Sequence, residues 1–208
     1  MARICHIFAA GEWDRSMPSC EKEDFIIAAD AGYEYARELG IKPDLVVGDL
    51  DSLGSDPTDV KVVRYPSIKD DTDTMLAVKI GLDRGCREFR IYAGTGGRLD
   101  HTLANLQVLQ YISRRKGCRG YLISSSQVIT AITNDTFRFD EGLYDTVSVF
   151  ALGESAEGVS ISGMKYSVRD TQLDPFYPLG VSNELTGKKA SVSVRRGTLV
   201  IVWTRDRR

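Results

Sequence analysis

Short apolar runs alternate along the first 124 residues with segments in which apolar side chains recur at helical spacing. The apolar runs predict strands at 4–9, 25–29, 45–47, 60–65, 89–93 and 120–124. The segments between them predict helices at 33–39, 72–84 and 99–116, the last with Leu103, Leu106, Leu109 and Ile112 on its buried face. Because such alternation is typical of a parallel sheet covered by helices, residues 1–124 are expected to form an α/β domain, an α/β/α sandwich.

The pattern changes after Ser124, where the helical spacing disappears. Short runs typical of strands cover 127–133, 136–139, 145–151, 158–162, 189–195 and 198–204, with turn-forming residues between them. Short strands at this spacing predict an all-β sandwich domain over residues 125–208. Residues 169–185, which contain Pro175 and Pro178, are expected to be an irregular loop, and long loops often carry function.

Three short acidic segments lie where a predicted strand or loop gives way to a helix. They are Gly48-Asp49-Leu50-Asp51-Ser52, Asp70-Asp71-Thr72-Asp73 and Gly94-Thr95-Gly96-Gly97-Arg98-Leu99-Asp100-His101. Ligands of open α/β sheets bind at this edge, and carboxylates gathered there repel one another unless a cation is bound. We therefore interpret the segments as a Mg²⁺-polyphosphate site.

Each segment also has a purely structural interpretation. Asp49 and Asp51 are two apart and could both reach one Mg²⁺, although Asp is also common in solvated turns. Thr72 is a good helix cap, but a cap does not need three neighbouring carboxylates. Gly97 and its neighbours could let backbone N–H groups approach a phosphate, which Arg98 could also bind, or they could form a simple turn.

Two further polar residues belong to the same predicted edge. Asp30 follows the second strand and is either a turn residue or part of the site. His101, just past Asp100, either bonds to backbone at the helix start, or contacts substrate or relays a proton.

Charge and composition exclude several functional classes. A net charge of −2 gives no electrostatic support for binding nucleic acid or an anionic membrane. No apolar run approaches the roughly 18 residues of a membrane span, and no signal peptide is evident, so we expect a cytoplasmic protein. The four scattered cysteines lack a CxxC pair, which argues against zinc.

These blocks, in this order, resemble those of the thiamine pyrophosphokinase family. The matching segments are Ala29-Asp30-Ala31-Gly32, 43–52, Asp71-Thr72-Asp73, Gly97-Arg98-Leu99-Asp100-His101 with Asn105, Gly163-Met164-Lys165-Tyr166, Gly180-Val181-Ser182-Asn183-Glu184 and 199–206. The resemblance extends over nearly the whole chain. Jointly, the two acidic blocks with their glycines and the late Ser-Asn pair make it specific.

The resemblance implies transfer of pyrophosphate from ATP to the hydroxyl group of thiamine, giving thiamine diphosphate and AMP. It implies an α/β catalytic domain that binds ATP and Mg²⁺, and a β-sandwich domain that binds thiamine and dimerises. In the resulting homodimer, thiamine would lie in a cleft between subunits. The Ser-Asn loop of one chain would face the acidic site of the other.

Matching positions imply a role for each site residue. The metal ligands would be Asp49, Asp51 and Asp73. The catalytic carboxylates would be Asp49, Asp51, Asp73 and Asp100, of which Asp73 or Asp100 could accept the proton of the attacking hydroxyl. The nucleotide would be held by Asp30, Thr72, Gly97, Arg98 and His101. Thiamine would contact Ser182 and Asn183.

The chain departs from the family pattern in a few places. Ala31 stands where the family usually has a second glycine, and Ser167 stands where a proline is common. An aromatic residue usually stacks on the thiamine ring; Phe176 and Tyr177 are candidates, with loop packing as the alternative.

Two other functions compete with this interpretation. A metal-dependent glycosyltransferase would use the Asp49-Leu50-Asp51 segment, but the other two acidic segments would then have no role. A non-catalytic module that binds nucleotide or thiamine would not need several clustered carboxylates.

Overall fold

The computed structural model of the chain describes residues 3–15, 18–50, 57, 60–66, 70–143 and 145–204. Asp51, one of the expected metal ligands, lies outside these residues. The chain forms two compact units. Unit 1 comprises residues 1–112 and 117–125, and unit 2 comprises residues 113–116 and 126–208.

Unit 1 is built on a parallel sheet. Its strands are β1 (Ile4–Phe8), β2 (Phe25–Ala29), β3 (Leu45–Gly48), β4 (Lys61–Arg64), β5 (Glu88–Tyr92) and β6 (Arg119–Ile123), in the spatial order β6-β5-β1-β2-β3-β4. The helices are α1 (Gly32–Glu38), α2 (Asp73–Asp83) and α3 (Leu99–Ser113). The predicted α/β architecture is therefore confirmed. Within the described ranges, no helix is long and apolar enough to cross a membrane.

Helices cover both faces of this sheet. On one face, Ala36 of α1 packs against Phe8 of β1. On the other, Gly81 of α2 lies so close to β1 that an added Cβ would come within 3.0 Å of the Cys5 sulfur. Residues 5 and 8 point to opposite sides because side chains alternate along a strand. The sheet is thus buried on both sides, as expected of parallel strands.

Unit 2 contains only strands as regular elements among its described residues. They are β7 (Gln127–Thr133), β8 (Thr136–Phe139), β9 (Thr146–Ala151), β10 (Ala156–Ser162), β11 (Val168–Leu173), β12 (Gly180–Glu184), β13 (Ala190–Ser193) and β14 (Thr198–Thr204). The orders are β12-β9-β14-β7 and β11-β10-β13-β8, with antiparallel neighbours. The two sets share one apolar core, which includes Val149, Val159 and Leu199. This arrangement confirms the predicted β-sandwich.

The structure corrects the prediction for residues 169–185. Most of this stretch forms β11 and β12, and only the turn that carries Pro175 and Pro178 is irregular. The prolines explain the error. Because proline is disfavoured inside strands, the two prolines led to the prediction of a loop over the whole stretch.

The structure also corrects α3. The helix ends at Ser113, three residues early, and its buried face consists of Asn105, Val108, Leu109 and Ile112. These residues keep helical spacing, but a polar residue occupies the first position. Leu103, expected on the buried face, is 55% exposed.

His6 is fully buried in β1 and bonds to two polar groups. Its Nε2 lies 3.0 Å from Asp24 Oδ2, and its Nδ1 lies 3.2 Å from the Tyr92 hydroxyl. Burial lowers the pKa of His6 below its usual 6.5, although Asp24 opposes the shift. The native state therefore holds His6 neutral at neutral pH.

We expect this neutral histidine to make stability depend on pH. Below about pH 6.5, the unfolded chain takes up a proton that the folded chain resists, so the free energy of unfolding falls as the pH falls. His6→Gln should flatten this slope, by at most about 1.4 kcal/mol per pH unit. Urea unfolding between about pH 7.5 and pH 5, roughly the range in which His titrates, measures how the free energy of unfolding depends on pH. His101→Gln is the control. Equal slopes in all three proteins would contradict the assignment.

Candidate active site

A cavity of about 140 Å³ lies at the carboxyl ends of the unit 1 strands. Its walls come from the segments after β1, β2 and β5 and from the starts of α2 and α3. The lining residues are Ala9, Ala10, Gly11, Ala29, Asp30, Thr72, Asp73, Thr74, Gly94, Gly96, His101, Ala104 and Asn105. The chain runs outward from β1 through β2 to β4 and then returns to β5 on the other side of β1. The cavity therefore lies at the topological switch point, where open α/β sheets bind ligands.

Three residues with a strained backbone lie at the same edge. Asp30 (φ 50°), Leu50 (φ 65°) and Ala93 (φ 50°), which follow β2, β3 and β5, are left-handed although none is glycine. Such residues cost of order 1–3 kcal/mol each and persist only where their surroundings fix them. The amide of Asp30, for example, donates to the Val47 carbonyl at 2.8 Å. Strain fixed in this way is common at functional sites.

The acidic segment before α2 divides into two parts. Thr72 caps the helix by accepting a hydrogen bond from the Met75 amide at 3.2 Å, which leaves its own proton available to a ligand. Thr72 and Asp73 line the cavity. Asp71 instead pairs with Lys79 at 2.5 Å on the helix surface. The structure thus brings Thr72 and Asp73 to the site, together with Asp30 and His101.

The glycine segment between β5 and α3 forms another wall. The Asn105 side chain donates to the Gly94 carbonyl at 2.8 Å and fixes the start of the loop. A Cβ on Gly94 would lie 2.8 Å from the end of the Leu122 side chain, so a larger residue would force Leu122 to move. Gly96 and Gly97 both have positive φ, of 84° and 59°. Their backbone can therefore turn its N–H groups toward a ligand, as phosphate-binding loops do.

Arg98 and Asp100 bind each other rather than lining the cavity. Two guanidinium nitrogens of Arg98 contact the Asp100 carboxylate at 3.2 and 2.6 Å, and both side chains are mostly exposed. The hydrogen bond from Arg98 lowers the pKa of Asp100. Asp100 is therefore a weak proton acceptor while this pair is intact.

Asp49 lies next to the cavity wall. It follows Gly48, whose position lies so close to Asp30 that an added Cβ would be 3.3 Å from the Asp30 Cβ. The Asp49 carbonyl accepts a hydrogen bond from Arg64 at 3.2 Å. The ends of β2 and β3 therefore bring Asp30 and Asp49 to one edge. Asp51 lies outside the described residues.

These acidic residues fit Mg²⁺ carried by a nucleotide. Among the described residues, no three His, Cys, Asp or Glu side chains cluster as a metal cage. The cavity wall includes the carboxylates of Asp30 and Asp73. Mg²⁺ usually takes one or two protein carboxylates and completes its shell with substrate phosphates and water.

In unit 2, Asn183 is a buried clamp rather than an exposed group. Its Oδ1 accepts from the Tyr166 amide at 3.0 Å, and its Nδ2 donates to the Tyr166 carbonyl at 2.7 Å. The same Oδ1 accepts from the Glu184 amide at 2.9 Å. The Asn183 amide group therefore fixes the backbone on both sides of Tyr166.

Ser182, next to this clamp, has an unusual backbone. Its φ is 57°, and the pairing of β12 with β9 is irregular between Gly180 and Asn183. The Ser182 side chain is exposed, and its amide donates to Ser148 Oγ at 3.1 Å. Strand irregularities of this kind redirect side chains at functional sites.

Sequence reasoning did not single out Tyr166 as an exposed aromatic residue held by the Asn183 side chain. Its ring is 61% exposed, and Lys165 Nζ lies 5.5 Å from the ring centroid. Glu184 pairs with Lys165 at 2.7 Å and raises the pKa of that ammonium group. The sequence signal that could have indicated this residue was the Lys165-Tyr166 pair, which is one of the segments that resemble the family.

Gly11, which lines the cavity after β1, was also missed, although a glycine that follows a buried strand could have indicated it.

Comparison with known proteins finds two family descriptions that match successive parts of the chain. The family described as "Thiamin pyrophosphokinase, catalytic domain" matches residues 18–122, and "Thiamin pyrophosphokinase, vitamin B1 binding domain" matches residues 122–199. A thiamine pyrophosphokinase of Bacillus subtilis is 26% identical over 194 residues, covering 86% of this chain and 87% of that protein.

Solved structures show the same fold. The structure titled as thiamine pyrophosphokinase from Bacillus subtilis has a TM-score of 0.87 at 23% identity, covering 98% of this chain and all (100%) of that chain. A thiamin pyrophosphokinase family protein from Enterococcus faecalis has a TM-score of 0.79 at 25% identity, covering 99% and 100%. The chain therefore belongs to the thiamine pyrophosphokinase family.

Proposed function

We propose that this protein transfers the pyrophosphoryl group of ATP to the hydroxyl group of thiamine, giving thiamine diphosphate and AMP, at the unit 1 cavity. The observation that carries the proposal is the composition of that cavity: Asp30, Thr72 and Asp73 face a glycine loop at the switch point of a parallel sheet. Transfer from a nucleotide depends mainly on positioning and on neutralising phosphate charge, and these residues suit both tasks.

The nucleotide would bind with its polyphosphate along the glycine loop. Gly97 and the start of α3 offer backbone N–H groups and the positive end of a helix. Thr72 can donate its hydroxyl proton to a phosphate oxygen, while Asp30 and His101 lie in the wall beside it. Arg98 would reach a phosphate only by leaving Asp100, a rearrangement of exposed side chains.

Mg²⁺ would be held by Asp49, Asp51 and Asp73 together with phosphate oxygens of ATP. When bound, the ion neutralises charge that develops on the transferred group. Asp30, which follows the neighbouring strand β2 and lines the cavity, is a further carboxylate at this edge.

Asp73 is the better choice for the general base. The thiamine hydroxyl must attack the β-phosphorus in line with the oxygen that bridges it to the α-phosphorus, and its proton must pass to a nearby acceptor. Asp73 lines the cavity, whereas Asp100 is exposed and its pKa is lowered by Arg98. The ion pair with Arg98 makes Asp100 a weaker base. Asp100 would instead orient Arg98.

Thiamine would bind at Ser182, Asn183 and Tyr166. The exposed Tyr166 ring offers a flat surface for a heteroaromatic ring, and Asn183 fixes that surface through the backbone. Ser182 supplies an exposed hydroxyl at the bulge. Phe176 and Tyr177 are 83% and 65% exposed and remain the other candidates for stacking on the thiamine ring.

We also propose that the chain acts as a homodimer in the cytoplasm, where ATP is available. Several large apolar side chains of unit 2 are exposed, as expected of an interface. They are Phe150, Phe176, Tyr177, Leu179 and Val181. Light scattering should give twice the mass of one chain, and the mass of a single chain would contradict the dimer.

Incubation with ATP, Mg²⁺ and thiamine, followed by separation of the nucleotides, tests the proposed reaction. We expect AMP and thiamine diphosphate in equal amounts, and neither product when Mg²⁺ is chelated. Formation of ADP would show γ-phosphoryl transfer instead and would exclude a pyrophosphokinase.

A further inference from the structure

The segment after β1 lines the cavity through Ala9, Ala10 and Gly11, and it is fixed on both sides of Glu12. The Gly11 amide donates to the Ala93 carbonyl at 2.9 Å, and the Gly11 carbonyl accepts from the Tyr35 hydroxyl at 2.8 Å. On the other side of Glu12, the Trp13 ring packs against Tyr35 with centroids 5.3 Å apart. A Cβ on Gly11 would lie 2.4 Å from the Ala93 carbonyl oxygen, so this approach requires glycine.

Glu12 lies directly on the glycine loop. Its Oε2 accepts a hydrogen bond from the Gly97 amide at 3.3 Å. A Cβ on Gly96 would come within 2.8 Å of the Glu12 Cβ and 2.9 Å of Oε2. The missing side chain at Gly96 therefore makes room for Glu12, and two independent contacts place its carboxylate on the loop.

The position taken by Glu12 suits an anion. The Gly97 amide precedes α3 by two residues, where the partial positive charge of a fifteen-residue helix adds to the N–H dipole. The Glu12 carboxylate accepts from this amide the same hydrogen bond that a phosphate oxygen would accept. The neighbouring exposed cation, Arg98, is already paired with Asp100 in the first turn of α3. In this state the Gly97 amide and Arg98 therefore both bind carboxylates of the chain itself.

We propose that Glu12 is a resident competitor for the polyphosphate of the nucleotide. The inference rests on the proposed function, because it assigns the glycine loop to phosphate. On binding, a phosphate oxygen takes the Gly97 amide and the Glu12 carboxylate turns out to solvent, where it is already exposed. The displacement reduces the affinity for ATP without touching the reacting atoms. Glu12 is therefore a positioning residue that holds the loop in shape and sets the affinity of the site.

Glu12→Gln separates the charge of this side chain from its hydrogen bond. The glutamine oxygen still accepts from the Gly97 amide, so the loop keeps its shape while the competing negative charge is lost. We expect the dissociation constant for inorganic pyrophosphate, measured by calorimetry, to fall roughly fivefold, the range of an exposed charge interaction. The KM for ATP should fall by a similar factor, with kcat within about twofold.

Glu23→Gln is the matched control, because it removes the same charge from an exposed position just before β2, at the opposite edge of the sheet. It should change neither constant. Equal or weaker pyrophosphate binding by Glu12→Gln would overturn the proposal; weaker binding would make Glu12 a ligand rather than a competitor. If the wild type forms AMP but the variant binds pyrophosphate no more tightly, only the role of Glu12 fails. If the variant binds more tightly but the wild type forms no AMP, only the proposed reaction fails.

Discussion

Asp73→Asn is expected to lower kcat for thiamine diphosphate formation roughly a thousandfold, within the range lost when a general base is removed. Asp73 is the carboxylate that both lines the cavity and begins α2, next to Thr72. Asparagine keeps the shape of the side chain but can neither accept the hydroxyl proton nor neutralise a cation. Initial rates at saturating ATP, Mg²⁺ and thiamine measure the loss.

Asp83→Asn is the control for this prediction, because Asp83 is exposed at the other end of the same helix. It should leave kcat unchanged within about twofold, since surface substitutions usually have small effects. Thermal unfolding of both variants checks that the helix remains folded. Activity of Asp73→Asn within a few-fold of the wild type would move the general base elsewhere, with Asp100 the first candidate.

Asn183→Ala is expected to raise the KM for thiamine roughly fivefold, because an aromatic stack is worth about 1 kcal/mol and the Tyr166 ring would no longer be fixed. The variant should also lose about 2 kcal/mol of stability, because two polar backbone groups of Tyr166 lose their buried partner. The KM for ATP should change little. Steady-state kinetics with each substrate varied in turn separates the two constants.

Asn134→Ala provides a matched loss of stability in the same unit. The Asn134 side chain accepts from the Gly197 amide at 2.9 Å, so its removal also breaks a side-chain clamp on the backbone. This variant should be destabilised with an unchanged KM for thiamine. If Asn183→Ala behaves in the same way, Asn183 holds the fold together and does not support the thiamine site.

Much of the fold could be predicted because its elements have local signals. The strand at 25–29 is a plain apolar run between polar turns, and its predicted bounds match β2. The strands β11 and β12 could not be predicted, because Arg169, Asp170 and Glu184 give no apolar run, and the strands form instead through their pairing with β10 and β9. The buried face of α3 was misplaced because Asn105 is held inside by the Gly94 carbonyl, which the spacing of apolar residues cannot reveal.

The site was predictable where it depends on strand ends. Asp30, Thr72, Asp73 and His101 meet in one cavity because the carboxyl ends of parallel strands share an edge. The pairing of Arg98 with Asp100 and the contact of Glu12 with Gly97 were not predictable, since they depend on side-chain conformation and on a contact across 85 residues. The roles given to all of these site residues, and to Asp49, Asp51 and Ser182, remain predictions.

Tracing the phosphorus atoms of ATP tests the central claim most directly. ATP labelled at the β-phosphorus is incubated with the protein, Mg²⁺ and thiamine, and the labelled products are separated. A pyrophosphokinase transfers the β- and γ-phosphorus atoms together, so the β label should appear in thiamine diphosphate and the remaining nucleotide should be unlabelled AMP. Retention of the β label in ADP, with a thiamine product that carries only the γ-phosphorus, would contradict the account.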